Sequence, residues 1–421
     1  MVKITTFNLM RSLSSVIYSE NFKDLMRKIA TAFTRRRKML FCDIIFIVLS
    51  ARNRAVQTEL DDYFTKKGVD ENVSRQAFAK ARENLKHEAF IHLNDVLVEK
   101  FEREDGAIAT YRGYRLFGVD GTLIDLPNTE EMRRTYGFAS NNTDKVFAKG
   151  LAMTAFDVLN GITIFAELFR YDDSEKRRIL YISDGFAQLN YEKSIWLLDR
   201  GYPSFDLFAR FHNNHQCYLT RVQTQTLKEV EAASQPDQIV TLTRKGITLD
   251  LRVVNVTLDS GENEKLITNL PADFTVEDLK ALYIKRWGIE TNYRFLKQKA
   301  VVETFTGETN TAVLQDFHAA ILILNIATIA WREQADILKE GDKNKQQKNE
   351  YFPNKSKLIQ EIKCDFVKFV LCDNPVAHIY RQLHLYSRIK RYAYHLSYVK
   401  SFPRAVKPGY SGRSVHTKAN L

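Results

Sequence analysis

The sequence predicts an α/β fold with helical regions at both ends. Three observations predict it. The first hundred or so residues carry apolar positions at helical spacing. From about Tyr111, short apolar runs and a hairpin signal take over. Helical patterning returns after about residue 275. A chain of 421 residues is too long for one small core, which points to two or three domains.

In chain order, residues 39–51 (MLFCDIIFIVLSA) form the longest apolar run. It holds Asp43 and is too short to span a bilayer, so it reads as a buried helix. The segment VSRQAFAKARENLKHEAFIHLNDVLVEKF reads as helical, with Ser74 as N-cap and Ala77, Phe78, Ala81 and Leu85 at helical spacing. YRLFGVDGTLIDLP is a short apolar run ending on an acid. GLAMTAFDVLNGITIFAELF reads as two strands joined at Asn160-Gly161, since Asn-Gly suits a tight hairpin. A helix follows over roughly 174–191. SIWLLDRGY is a second apolar strand ending on an acid, and CYLTRV is a further strand. Residues 223 to about 272 are β-rich. Thr275 is placed to cap the next helix. After an apolar helix (VLQDFHAAILILNIATIAW), the polar stretch KEGDKNKQQKNEYFPNKSK reads as a linker or exposed loop. The expected domains are a helical region 1–105, an α/β domain 106–338, and a basic region 339–421.

The net charge of +11 points to a polyanionic partner, nucleic acid or an acidic membrane. Two basic regions stand out. The first forty residues hold nine Lys or Arg, including Arg35-Arg36-Arg37-Lys38, against two acids. Residues 374–421 hold nine Lys or Arg, six tyrosines and no acid. Cations interleaved with aromatics can follow phosphates and pack on sugars or bases, although such a tail is as often merely solvated. The N-terminus lacks an apolar core followed by a small-residue cleavage site, so no secretory signal is expected. Cys42, Cys217, Cys364 and Cys372 show no paired spacing, in keeping with a reducing cytoplasm.

The chemistry concentrates in LYIKRWGIETNYRFLKQ. On one continuous helix, Tyr283, Arg286, Glu290 and Lys297 fall within a sector of about 60° along roughly 21 Å. Leu282, Ile289 and Leu296 form an apolar stripe beside them. An ordinary amphipathic helix with an Arg286–Glu290 pair would look the same. Two further acids sharpen the reading: Asp120 follows Leu116-Phe117-Gly118-Val119, and Asp199 follows Ile195-Trp196-Leu197-Leu198. A carboxylate at the end of a buried strand is costly unless a cation or donor meets it. Asp120, Asp199 and Glu290 together make a set of hard oxygen ligands suited to Mg²⁺ or Mn²⁺. Two such ions about 3.5–4 Å apart serve phosphodiester cleavage. Arg286 and Lys297 would hold phosphates.

These residues resemble the bacterial DDE transposases of the insertion-sequence group marked by a Tyr-Arg-Glu-Lys signature. Tyr283, Arg286, Glu290 and Lys297 meet its spacing without a gap, Asp120 stands in VDGT, and Asp199 stands in LDRGY. SRQAFAKARENL, residues 74–85, is similar to the group's N-terminal region, and the resemblance covers about 70–330. It implies an RNase H-like mixed sheet flanked by helices, with a β-rich insertion before Glu290. It implies catalytic, metal-binding carboxylates at Asp120, Asp199 and Glu290, with two Mg²⁺ and Mn²⁺ as a substitute. It implies cleavage of element ends and strand transfer into target DNA, performed by a homodimer on double-stranded DNA in the bacterial cytoplasm. Tyr283, Arg286 and Lys297 would contact DNA near the cleaved end. Trp287 would help bind a base, although an aromatic there is more often core. A decayed DNA-binding regulator and an RNase H-like nuclease are the alternatives.

Other signals fail on spacing. His87 and His92 are five apart, whereas HExxH needs four. His212, His215 and Cys217 lack a fourth ligand nearby, and PGYSGR is not a nucleophile elbow. Asp125, Asp172, Asp173 and Asp184 lack the combination of strand end and motif that marks Asp120 and Asp199.

Overall fold

The computed structural model describes residues 5–35, 38–52, 54–69, 73–103, 108–140, 145–188, 191, 193–222, 227–257, 263–298, 304–343, 351–370 and 375–395. Arg36 and Arg37 of the basic run, residues 344–350 of the polar stretch, Cys372, and the tail after residue 395 lie outside them. Six helices come first: α1 (Thr5–Ile17), α2 (Glu20–Met26), α3 (Phe41–Ser50), α4 (Val56–Lys67), α5 (Arg75–Arg82) and α6 (Glu88–Arg103). Then follow β1 (Arg115–Asp125), α7 (Glu130–Tyr136), β2 (Phe138–Ser140), β3 (Val146–Asp157), β4 (Ile162–Arg170), α8 (Glu175–Gln188), β5 (Ser194–Leu198), α9 (Phe205–Asn213) and β6 (Cys217–Arg221). The β-rich segment is α10 (Lys228–Glu231), β7 (Asp237–Arg244), β8 (Ile247–Thr257) and β9 (Asn263–Thr268). The last elements are α11 (Val276–Ile284), α12 (Trp287–Gln298), α13 (Asn310–Lys343), β10 (Tyr351–Phe352), α14 (Lys355–Val370), α15 (Pro375–Lys390) and β11 (Tyr394–His395).

The chain divides into two compact units. One comprises Ile108–Ile124 and Gly150–Tyr293; the other comprises Met1–Ala107, Asp125–Lys149 and Arg294–Leu421. The first unit holds a mixed sheet whose strands run β4-β3-β1-β5-β6-β9-β8-β7. β1, β5 and β6 are parallel neighbours, while β4 pairs β3 antiparallel through the predicted hairpin. Gly161 takes φ +71° in that turn, a conformation open to glycine. The strand order β4-β3-β1-β5-β6, with its parallel β1-β5-β6 half, is that of an RNase H-like sheet, and the β-rich segment extends it from β6. One core cluster includes Phe117, Phe186, Trp196, Phe208, Phe211 and Tyr218. The other joins Leu116, Ile195, Leu197 and Leu219 to Leu279 and Leu282 of α11. Strands with side chains buried on both sides explain why LFGV and SIWLL read as continuous apolar runs rather than alternating ones.

The second unit is mainly helical. α3 is buried along Phe41–Leu49, as its apolar run predicts. The predicted helix from Ser74 is two helices. Ser74 does cap α5, accepting from the Ala77 N–H at 3.2 Å. The chain then turns at 83–87, where Leu85 forms an isolated bridge with Arg27. α13 is longer than the apolar run alone suggests and continues into the polar stretch that reads as linker. By length and composition Asn310–Lys339 is long enough to cross a membrane, but 89% of its apolar window is buried inside the protein. It packs on α6, α14, α1 and α3.

Candidate active site

The parallel ladder between β1 and β5 places the two aspartates. Its last pair is Val119 with Leu198, so Asp120 and Asp199 are the next residue on each of two adjacent strands. Asp199 follows the end of β5, as expected. Asp120 does not end its strand: β1 continues to Asp125 beside β3, and only its pairing with β5 stops at Val119.

Glu290 comes from α12, and here the single-helix expectation needs correction. Thr275 caps α11 as predicted, in a reciprocal capping box with Asp278. The helix then ends at Ile284, the chain turns at Lys285 and Arg286, and α12 starts at Trp287. The N–H groups of Lys285, Arg286, Gly288 and Ile289 each bond the carbonyl three residues back, a tighter winding than α-helix. Gly288 meets Val158 at this break: a Cβ there would stand 3.0 Å from the valine Cγ1. Tyr283 therefore sits in the last turn of α11, Arg286 in the turn, Glu290 in the first turn of α12 and Lys297 in its last. The apolar stripe holds across the break, with Leu282, Ile289 and Leu296 fully buried.

Arg286 is the centre of the site. Its Nη2 lies 3.0 Å from Glu290 Oε1 and 3.6 Å from Asp199 Oδ1. The guanidinium is near two aromatic faces, 5.8 Å from the Tyr283 ring centroid and 5.7 Å from that of Trp287. Arg286 is only 7% exposed, and its buried Nε has no hydrogen-bond partner. The two carboxylates it holds are open to solvent, at 39% for Asp199 and 42% for Glu290. Burial pushes the Tyr283 phenol up to about 12, against the lowering effect of the Arg286 charge. Trp287 is 47% exposed and is not a core residue: at 100° per residue it lies about 160° from the centre of the buried stripe, so helical position outweighs aromatic character. Lys297, half-buried, belongs to the other compact unit.

Asp120 lies deeper. Its Oδ1 accepts from the Gly121 N–H at 2.9 Å and stands 3.5 Å from the Tyr202 hydroxyl. Burial pushes its carboxyl up to about 7; the negative charges of Glu175 and Asp199 add to this, while the Gly121 N–H and Arg286 oppose it. Three residues of this site were not singled out from sequence. Tyr202 donates to Glu175 Oε2 at 2.9 Å. Tyr293, on α12 one turn from Glu290, donates to the Asp120 carbonyl, accepts from Thr154 Oγ1 at 3.0 Å, and lies 3.4 Å from the Ala152 carbonyl. It ties the Glu290 helix to the strand bearing Asp120. For Tyr202 the available signal was its place three residues after Asp199; Glu175 and Tyr293 carried none.

Among the described residues, no three His, Cys, Asp or Glu side chains are gathered as a ready metal-ligand set. Instead Arg286 stands between Asp199 and Glu290. The donor chemistry nevertheless fits a hard divalent cation. Asp120, Asp199 and Glu290 each interact with this one guanidinium, and Glu175 acts on Asp120, so carboxylates outnumber the fixed cation.

Comparison with known proteins adds the family. A model of the transposase DDE domain matches residues 111–326, just over half of the chain. Over 147 residues the chain is 26% identical to the probable transposase for insertion sequence element IS5377 of Geobacillus stearothermophilus. That alignment covers 32% of this chain and 39% of the relative, so the chain spans well under half of the curated relative's length. A cryo-EM structure of a piggyBac transposase synaptic complex with hairpin DNA aligns over 90% of this chain and 84% of its own, at 12% identity and a TM-score of 0.45. Asp120, Asp199 and Glu290 all fall within the span matched by the family model, and the chain belongs to the transposase DDE domain family.

Proposed function

We propose that the protein is a DNA transposase of the Tyr-Arg-Glu-Lys insertion-sequence group, which cuts the ends of its element and joins them to target DNA. The observation that carries this reading is the juxtaposition of Asp120 and Asp199 at the end of one parallel ladder, with Glu290 linked to Asp199 through Arg286. Asp120, Asp199 and Glu290 would hold two Mg²⁺, or Mn²⁺ in their place. When bound, such ions supply an activated oxygen nucleophile and neutralise charge on the leaving oxygen.

The protein's own groups bind and orient the DNA. Arg286 is pre-positioned and exchanges a carboxylate for a phosphate at little cost in order, because its planar fork suits both. Tyr283 and Trp287 flank the guanidinium, and the exposed Trp287 ring offers a stacking face to an unpaired base. Lys297 adds a phosphate contact. The basic helical N-terminus and basic C-terminal region serve end recognition and the pairing of two subunits, since both element ends must be held together. The setting is the bacterial cytoplasm, at the nucleoid.

The test is a cleavage and joining assay on the DNA that flanks the gene, with Mg²⁺ or with EDTA. Mg²⁺-dependent cuts at a pair of inverted repeats, followed by joining to a second DNA, are expected. Binding without cutting would replace this reading with a regulator. Cutting with neither end preference nor joining would replace it with a nuclease.

A further inference from the structure

We propose that Glu175 is a fourth carboxylate of the active site, a positioning residue that Tyr202 holds beside Asp120, where it adds negative charge. The inference rests on the reading that Asp120, Asp199 and Glu290 hold divalent cations. Nothing in the signature residues points to Glu175. It opens α8, 55 residues after Asp120 in the chain, and the sheet brings the two together.

Two independent features place it there. The first is Gly121. A Cβ at this position would stand 2.8 Å from both Cδ and Oε1 of Glu175 and 2.8 Å from Met153 Sδ. The space beside the glycine of VDGT, directly after Asp120, is thus where the Glu175 carboxylate lies. The second is Tyr202, which is almost fully buried. Its hydroxyl has one proton and faces two carboxylates, Glu175 Oε2 at 2.9 Å and Asp120 Oδ1 at 3.5 Å. The shorter contact assigns that proton to Glu175. Asp120 Oδ1 is then held by the Gly121 N–H at 2.9 Å, which leaves Oδ2 for the cation side of the site.

The start of α8 is itself anchored. Asp173 accepts from the Ser174 N–H at 2.8 Å and from Arg178 Nε at 2.6 Å. Glu175 is therefore presented by a braced turn, in the first turn of a helix where a carboxylate is favoured. Removing its charge should relieve repulsion in the cation-free protein and weaken the hold on a cation. Residues that orient a metal ligand typically affect metal affinity ten- to a hundredfold.

The experiment measures Mn²⁺ binding to the full-length, DNA-free protein by electron paramagnetic resonance, with melting temperature as the control for folding. Glu175→Gln should lower Mn²⁺ affinity about tenfold or more, with melting unchanged or raised. Tyr202→Phe should lower it several-fold. Wild-type affinity in a folded Glu175→Gln protein overturns the inference. If that variant does not fold, Tyr202→Phe decides, and unchanged affinity there overturns it. Asp199→Asn separates the two levels of the argument. If the wild type binds no Mn²⁺, or Asp199→Asn binds as well as wild type, the cation reading itself fails and takes this inference with it. Weakened binding in Asp199→Asn alone sinks only the role of Glu175.

Discussion

Two buried arginines, one in each compact unit, are treated in opposite ways. Arg82 is 2% exposed and its guanidinium is satisfied on every nitrogen. Nε bonds Gln315 at 2.8 Å, Nη1 bonds Thr306 at 2.6 Å, and Nη2 bonds the Ala312 carbonyl at 3.2 Å and Asp316 at 3.1 Å. The Phe78 ring closes one side, 5.3 Å away. Arg286 is nearly as buried, yet a single Nη2 makes both of its carboxylate contacts and its Nε has no partner. A buried donor without a partner costs about 1–3 kcal/mol. The protein tolerates that cost at Arg286 and avoids it at Arg82. The first is a finished structural joint between α5 and the start of α13. The second leaves a buried Nε unmatched and spends one Nη2 on two carboxylates that are open to solvent.

The comparison breaks most sharply if the partners of Arg286 prove to be structural too. Glu290→Gln keeps the shape of the side chain and loses its charge. Cleavage should fall at least about 10³-fold, while DNA binding and the melting temperature stay near wild type. Normal cutting by this variant would remove Glu290 from the chemistry. Arg82→Met tests the other side. Removing one partner of a buried charge network costs about 3–5 kcal/mol, because Asp316 would be left without its cation. Urea denaturation should show that loss, and a change below about 1 kcal/mol would mean the network contributes little. Arg286→Gln should show the reverse pattern. Stability should change by less than about 1 kcal/mol, because Asp199 and Glu290 are open to water. End cleavage should fall about ten- to a hundredfold, the worth of one charge-assisted hydrogen bond. A variant that melts far below wild type would make Arg286 a joint like Arg82.

The same contrast marks what could be read in the sequence. Features decided by local patterning were legible. The apolar runs before Asp120 and Asp199 identify neighbouring strands, Asn160-Gly161 identifies the hairpin, and Thr275 identifies a helix start. The seven-residue spacing of Leu282, Ile289 and Leu296 identifies the buried stripe. Features decided by tertiary contact were not legible. The break at Lys285 and Arg286 coincides with the approach of Gly288 to Val158, 130 residues earlier in the chain. Uniform helical geometry consequently overstated how Tyr283, Arg286 and Glu290 share one face. Trp287 failed for another reason: aromatic residue type favoured the core, while its place opposite the apolar stripe favoured the exposure observed. Periodicity likewise ran α5 and α6 together, because the turn between them accompanies a bridge from Leu85 to Arg27. Glu175 had no periodic or motif signal, since only the folded sheet brings it to Asp120.

The smallest expected effect concerns Asp120 and is a matter of pH. Its carboxyl, ordinarily near 3.8, is pushed up to about 7 by burial, with the charges of Glu175 and Asp199 adding to it. Between these values the unfolded chain has released the proton while the folded protein retains it. Folding stability from this group is therefore full below about pH 4 and is lost as pH rises to about 7. Asp120→Asn cannot titrate and escapes that loss. In EDTA the variant should melt with wild type at pH 4 and above it at pH 8, by an increment of about 1–2 kcal/mol, a fraction of the full shift because the site is partly open to water. Divalent cation should reverse the order at pH 8, because only the wild type offers an ionised ligand and gains stability from binding. Cation affinity of the wild type should accordingly fall as pH drops through 7. If Asp120→Asn melts with wild type at both pH values in EDTA, the cavity around Asp120 is already compensated in the cation-free protein. Its carboxylate would then belong with Arg82 as a finished joint, and the line drawn between the two arginines would not extend to the acids around them.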